Sequence, residues 1–308
     1  MRKNLVQTAT AGWSAATAVA GLMWATGGPG FPFGDSDRAT RMGAVLTGLD
    51  PLPTGLALAV LAALGAVVAV LPAGRPPLRF VGWPAAAVLL LVIPDGRLLL
   101  AVGELLMLRA DRVETAAVAQ AWFAAGGALW AAVARRPTPC TAPPWGRPVT
   151  LLAAAFPFVY AVPRAVWAAG YPFGLDAATT VMVSSPAGRA RELVFACAAA
   201  GGGLLTLGLT QRWGTRMLGM RVPRLLAVVP ATVVAVILTG SGVTMWRALA
   251  QFDPANWAAW VGNLVWLPWG VTLGLATWAY HRRRCTVHDE KAHDNVPDQP
   301  YPNSATAT

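Results

Sequence analysis

Apolar residues run along this chain in blocks of about 18 to 25, the length an α-helix needs to cross a bilayer, separated by short stretches rich in Gly, Pro and charge. The blocks predict helical spans over residues 8–27, 54–73, 80–93, 115–134, 149–168, 192–210, 225–246 and 257–280. The third is the irregular one. It runs from Phe80 to Ile93 and meets Pro94-Asp95-Gly96-Arg97. At 1.5 Å per residue such a run rises only ~21 Å, so the break falls inside the bilayer. Pro94 and Gly96 account for it through a lost amide donor and backbone freedom. Leu98 to Leu108 then continues apolar, with Glu104 inside it, as the end of a kinked span or as a short half-helix. Residues 282–308 are polar and rich in Pro, Asp and Asn, which predicts a disordered tail.

Two stretches echo one another. Trp24-Ala-Thr-Gly leads to Phe31-Pro-Phe-Gly34, and Trp167-Ala-Ala-Gly leads to Tyr171-Pro-Phe-Gly174. The echo predicts two related four-helix halves, 1–134 and 135–281, followed by the tail 282–308. An even-numbered unit repeats in the same orientation, so the halves are expected to be related by an axis along the membrane normal. Ala18-Val19-Ala20 also offers a signal-peptide cleavage site, but cleavage there would remove Trp24's half of the echo from its span. A retained first span is therefore expected.

Composition agrees with an all-α polytopic membrane protein of about eight spans: 56% of the 308 residues are hydrophobic and only 12% charged. A net charge of +10 in a soluble protein would suggest nucleic acid. Here the arginines gather in alternate loops instead. With the N-terminus inside, the cytoplasmic segments hold 15 Lys and Arg against 7 on the other side, which places both termini in the cytoplasm and the chain in the inner (plasma) membrane. Cys140, Cys197 and Cys285 form no paired framework, and an odd count argues against structural disulfides.

Every acid before the tail falls on or near the outer side, and Asp95, Arg97, Glu104 and Arg164 lie within apolar boundaries. Ionisable groups in hydrocarbon are costly unless they pair, snorkel or face water. The economical arrangement is a cluster between spans three and five, with Arg164 beside Asp95 or Glu104. Such a cluster either locks the halves together or forms an outward-facing pocket with walls from Trp24, Tyr160, Trp167 and Phe173 and with Asp176 nearby. A guanidinium there would suit a carboxylate or a lipid headgroup, because its fork binds two oxygens. The basic loop Arg212, Arg216, Arg221, Arg224 serves orientation, or contacts anionic lipid or a membrane or cytosolic protein partner. Cys285-x-x-His288 with His293 has metal-like spacing but lacks a fourth soft ligand. No phosphate loop, zinc-protease or serine-hydrolase motif is present, so neither a cofactor nor a metal is expected and an enzyme is the minority reading. A small or lipid-like anionic molecule, bound or passed, is the leading reading; a structural or regulatory membrane subunit is the alternative.

Gly30-Phe-Pro-Phe-Gly34, Ile93-Pro-Asp-Gly-Arg97, Tyr160 to Gly174, Leu205 to Gly214, Arg221-Val-Pro-Arg224 and Val228-Val-Pro-Ala231 resemble a group of actinobacterial multi-pass integral membrane proteins. Members that resemble it carry Thr where Pro163 stands here. The resemblance implies the membrane class and implies no activity.

Overall fold

The computed structural model describes residues 2–36, 39, 44–72, 76–135, 141–214, 216–217 and 220–293. Over these it is helical but for one two-residue pairing. The long helices are α1 (Arg2–Ala25), α2 (Pro51–Ala69), α3 (Pro76–Ala87), α4 (Gly96–Leu106), α5 (Thr115–Ala134), α6 (Gly146–Ala168), α8 (Pro186–Leu207), α9 (Arg224–Arg247) and α11 (Trp266–His293); α7 (Ala177–Ser184) and α10 (Trp257–Leu264) are short. Among the described residues six helices are long and apolar enough to cross a membrane, and α3 with α4 makes a seventh crossing if the bent pair counts as one.

The solvent these helices fold in can be read from α2. It buries Gly55, Ala59, Gly65 and Ala69 while exposing Leu56, Val60, Leu61, Leu64 and Val67. In water this is inside out. In lipid, where apolar side chains gain nothing by hiding, small residues go to the helix contacts so that backbones can approach. The α1–α2 crossing shows why: a Cβ at Gly21 would sit 2.7 Å from the Gly55 carbonyl, and one at Gly55 would sit 2.5 Å from that of Gly21. The same economy puts Gly203 against Ala154 and Pro157, and Gly270 against Thr239 and Ala235. Of the glycine triplet 201–203 only Gly203 makes such a contact, and α8 runs through it without unwinding. The chain is built as a polytopic membrane protein.

Caps set the ends. Asp50, Asp95, Asp176 and Ser185 each accept a backbone N–H of the helix they start, and α2 and α8 have Pro at the first position. The two echoing stretches terminate α1 and α6 alike. Gly27 (φ 85°) and Gly170 (φ 100°), each three residues after its tryptophan, take the left-handed turn that stops the helix. Each tryptophan indole then donates to the following loop, Trp24 to Pro29 O at 3.2 Å and Trp167 to Phe173 O at 3.1 Å.

The third span passes from α3 into a π-helical turn, Val88–Val92, before Pro94, and α4 leaves at 62°. The break expected at Pro94 is therefore present, and both the kinked-span and the half-helix alternatives fit a 62° turn. A second break, at Val265, divides the span expected over 257–280 into α10 and α11. Pro268 has no N–H to give Leu264 O, and the Trp246 indole takes that carbonyl at 2.8 Å.

Neighbours in sequence pair as hairpins, α1 with α2, α3 with α5, α6 with α8, and α9 with α11. The α3–α4 break packs on α9. Two expectations need correction. Helix α11 continues to His293, so 282–293 is not disordered, while 294–308 lies outside the described residues. Cys285 is disulfide-bonded; Cys197 is free and exposed. The basic loop carries a 3-10 turn at Arg212–Gly214 and an antiparallel pairing of β1 (Arg216–Met217) with β2 (Met220–Arg221).

Candidate functional site

The break after Pro94 frees backbone groups in the interior, and its neighbours take them up. Gln120 Oε1 on α5 accepts the Asp95 N–H, and Ser241 Oγ on α9 donates to the Asp95 carbonyl, both at 3.1 Å. Gly240 lets α9 come this close, since a Cβ there would lie 3.1 Å from Pro94. The Asp95 carboxylate caps α4 through the Arg97 N–H at 2.8 Å and also receives Nε and Nη2 of the same arginine. Both side chains are buried, 2% and 5% exposed. A buried pair must be well hydrogen-bonded to offset its desolvation, and three donors on one carboxylate meet that condition.

Arg97 is thus held along one edge, while its Nη1 has no hydrogen-bond partner among the described residues. It lines two adjoining spaces. The smaller, about 10 Å³, lies between Arg97, Ala101, Glu104, Arg112 and Glu114 and has room for about one water. Glu104 Oε2 is buried there with no partner among the described residues. The larger, about 290 Å³, is open at the surface between Arg97, Glu114 and Thr115 on one side and Phe31, Asp35 and Ser36 on the other.

Arg164 is elsewhere. The expected pairing with Asp95 or Glu104 does not form; the guanidinium bonds Glu192 on α8, which Arg191 also reaches at 3.0 Å. It lies over the Tyr160 ring at 4.1 Å, with Trp167 at 5.7 Å and Phe195 at 5.4 Å. Two ion-pair networks therefore stand where one was expected. Phe195 is close to both, with Arg164 5.4 Å from its ring centroid and Gly103 of α4 packed against the ring. Arg164 is partnered by a carboxylate and boxed by rings, an arrangement that joins α6 to α8.

The remaining expected wall residues are structural. Trp24 is buried with Phe33, Ile93 and Phe123, one layer behind Phe31, which does reach the cavity. Trp167 is buried in its capping turn, and Asp176 caps α7 through Thr179 N. Tyr160 packs on Trp266.

Comparison with protein-family models, with curated proteins and with solved structures finds no match for this chain. The site is therefore read from its own geometry.

Sequence reasoning missed Glu192, Gln120 and Ser241. For Glu192 a signal existed: Ser185-Pro186 is a cap followed by proline at the first helical position, which starts α8 six residues before the predicted span and moves Glu192 from the edge of the helix to its second turn. Gln120 and Ser241 carry no such mark. Among the described residues no group of three metal-ligating side chains occurs, and the side chains of His288 and His293 lie outside them. So do those of Arg212, Arg216 and Arg221 in the basic loop, whereas Arg224 contacts His281 at 2.8 Å. The loop is tied to α11 by Tyr280 Oη on Gly214 O, Arg283 on Leu209 O and Arg284 on Val222 O.

Proposed function

We propose that this chain is an eight-span plasma-membrane protein, of the actinobacterial multi-pass kind it resembles, with both termini in the cytoplasm. Its role is to bind or pass a small or lipid-like molecule bearing an acidic group, at the outward cavity floored by Arg97. The eighth crossing is α1. Its 24 residues rise ~36 Å at 1.5 Å each, and its polar residues Thr10, Ser14 and Thr17 face the interior, which lowers its apolarity without exposing polarity to lipid. The repeat of two four-helix halves is supported by the matching hairpin order and by the shared Trp-x-x-Gly termination of α1 and α6.

The observation that carries the binding reading is Arg97. A guanidinium fixed by Asp95 along one edge and lining an open cavity is preorganised for a carboxylate or phosphate oxygen, because it loses little freedom on binding. The cavity's volume lies at the small end of ligand sites. Asp35 and Glu114 in the wall favour a ligand that carries donors beside its acid.

Native mass spectrometry of protein extracted gently from its own membrane tests this. A discrete added mass is expected on the wild type and on Arg164→Met, and lost from a folded Arg97→Gln. Loss from Arg164→Met with retention by Arg97→Gln would move the site to the α6–α8 cluster and overturn the assignment.

A further inference from the structure

The charges of this molecule are segregated along its length. All nine acids whose side chains are described, from Asp35 to Asp253, lie at or toward the end of the bundle that carries the Arg97 cavity. The opposite end holds Arg135, Arg147, Arg224 and the run Arg282-Arg283-Arg284, with no acid among the described side chains. Its cations turn to other acceptors. Arg224 meets the His281 imidazole at 2.8 Å, and Arg135 and Arg282 also act on that imidazole through space. Arg283 and Arg284 go to backbone carbonyls.

Beside this cluster Trp145 and Trp278 stack at 5.5 Å, each partly exposed, and Arg282 lies over Trp278 at 5.2 Å. Tryptophan at a bundle end marks the headgroup level of a bilayer. Toward the bundle centre the same faces continue with exposed Leu152 on α6 and exposed Val271 and Leu275 on α11. Charge at the rim, aromatic rings below it and an apolar strip below them match the vertical order of a phospholipid.

We propose that Arg135, Arg224 and His281, beside the Trp145–Trp278 pair, seat the phosphate headgroup of an anionic phospholipid from the surrounding bilayer, its acyl chain lying along Leu152, Val271 and Leu275. The occupant is the lipid rather than free phosphate because the aromatic and apolar strip is continuous with the basic rim. The site is independent of the Arg97 cavity and needs only that the chain spans a bilayer.

The test is lipid retention by native mass spectrometry from nanodiscs of phosphatidylcholine mixed with phosphatidylglycerol. The wild type is expected to keep phosphatidylglycerol in preference. At about fivefold for each guanidinium removed near an anionic surface, Arg135→Ala with Arg224→Ala should weaken that preference about twenty-five-fold. Arg224→Lys should retain most of it, and Arg109→Ala, at the other end, should change nothing. In the unaltered protein, ~1 M salt, which shortens electrostatic reach to about 3 Å, should largely remove the preference; this arm does not depend on any variant folding. Equal retention of the two lipids by the wild type, or an unchanged preference in the double variant, would overturn the proposal. So would displacement of the lipid by millimolar inorganic phosphate, which would make the seat a general anion site.

Discussion

Glu192 holds two arginines in a place where neither could be left alone. Its carboxylate is 3% exposed and bonds Arg164, itself mostly buried, and Arg191. Removing one partner of a buried pair costs about 3–5 kcal/mol, because the other charge stays behind, whereas replacing both by apolar groups of similar size is often neutral. Glu192→Ala should therefore lower unfolding stability in mixed micelles by that amount, and Glu192→Leu combined with Arg164→Met should recover most of the loss. A Glu192→Ala protein as stable as wild type would show the pair to be dispensable. The partner choice was not legible in the sequence. Arg164 and the acids of the third span share a depth, but which pair meets depends on how each helix is rotated, and α4 turns at 62° to put Asp95 under Arg97 instead. Asp95 and Arg97 are two residues apart, and their local pairing was the simpler possibility.

At the scale of elements, the long helices were legible because the hydrophobic blocks that predict them are the surfaces that meet lipid. α5 coincides with its predicted span at residues 115–134, and α2, α6 and α9 differ from theirs by at most four residues at either end, whereas α1 and α8 begin six residues early and α11 runs on to His293. The elements missed are short or polar. α7 has eight residues and the β1–β2 pairing two on each side; elements of that length owe their stability to tertiary packing rather than to propensity. The α11 extension past residue 281 is polar in composition, yet Arg283 and Arg284 near its start dock on backbone carbonyls at the two ends of the basic loop. Helix contacts give a sharper prediction. Gly55→Ala forces a Cβ onto the Gly21 carbonyl and should cost about 1–3 kcal/mol, as overpacking does. Gly202→Ala, with nothing within 4 Å, should cost nothing measurable. Unfolding of the two variants side by side checks the crossing, and equal stabilities would contradict it.

For the whole molecule, orientation joins the two ends into one account. The acids and the Arg97 cavity occupy one end; the arginine-rich loops and the start of the tail occupy the other. Two signals at the basic end pull apart. The arginine bias sums over five segments of the chain and argues for a cytoplasmic basic end, as proposed, while the disulfide at Cys285 is of a kind that persists in oxidising compartments. The bias is the broader signal, since one thiol pair can be reduced without moving a loop. In the orientation we propose, with the basic end inside, the cavity faces outward, as a site receiving a molecule from outside requires.

The most direct test of that claim is thiol labelling of intact cells with a membrane-impermeant maleimide. Cysteine is placed at Asp111, exposed beside the cavity, or at Gln211, exposed in the basic loop, and labelling is read against the wild-type background. The account predicts that Asp111→Cys reacts in intact cells and that Gln211→Cys reacts only after the membrane is opened. Labelling of Gln211→Cys from outside, with Asp111→Cys protected, would invert the molecule and contradict an outward-facing site.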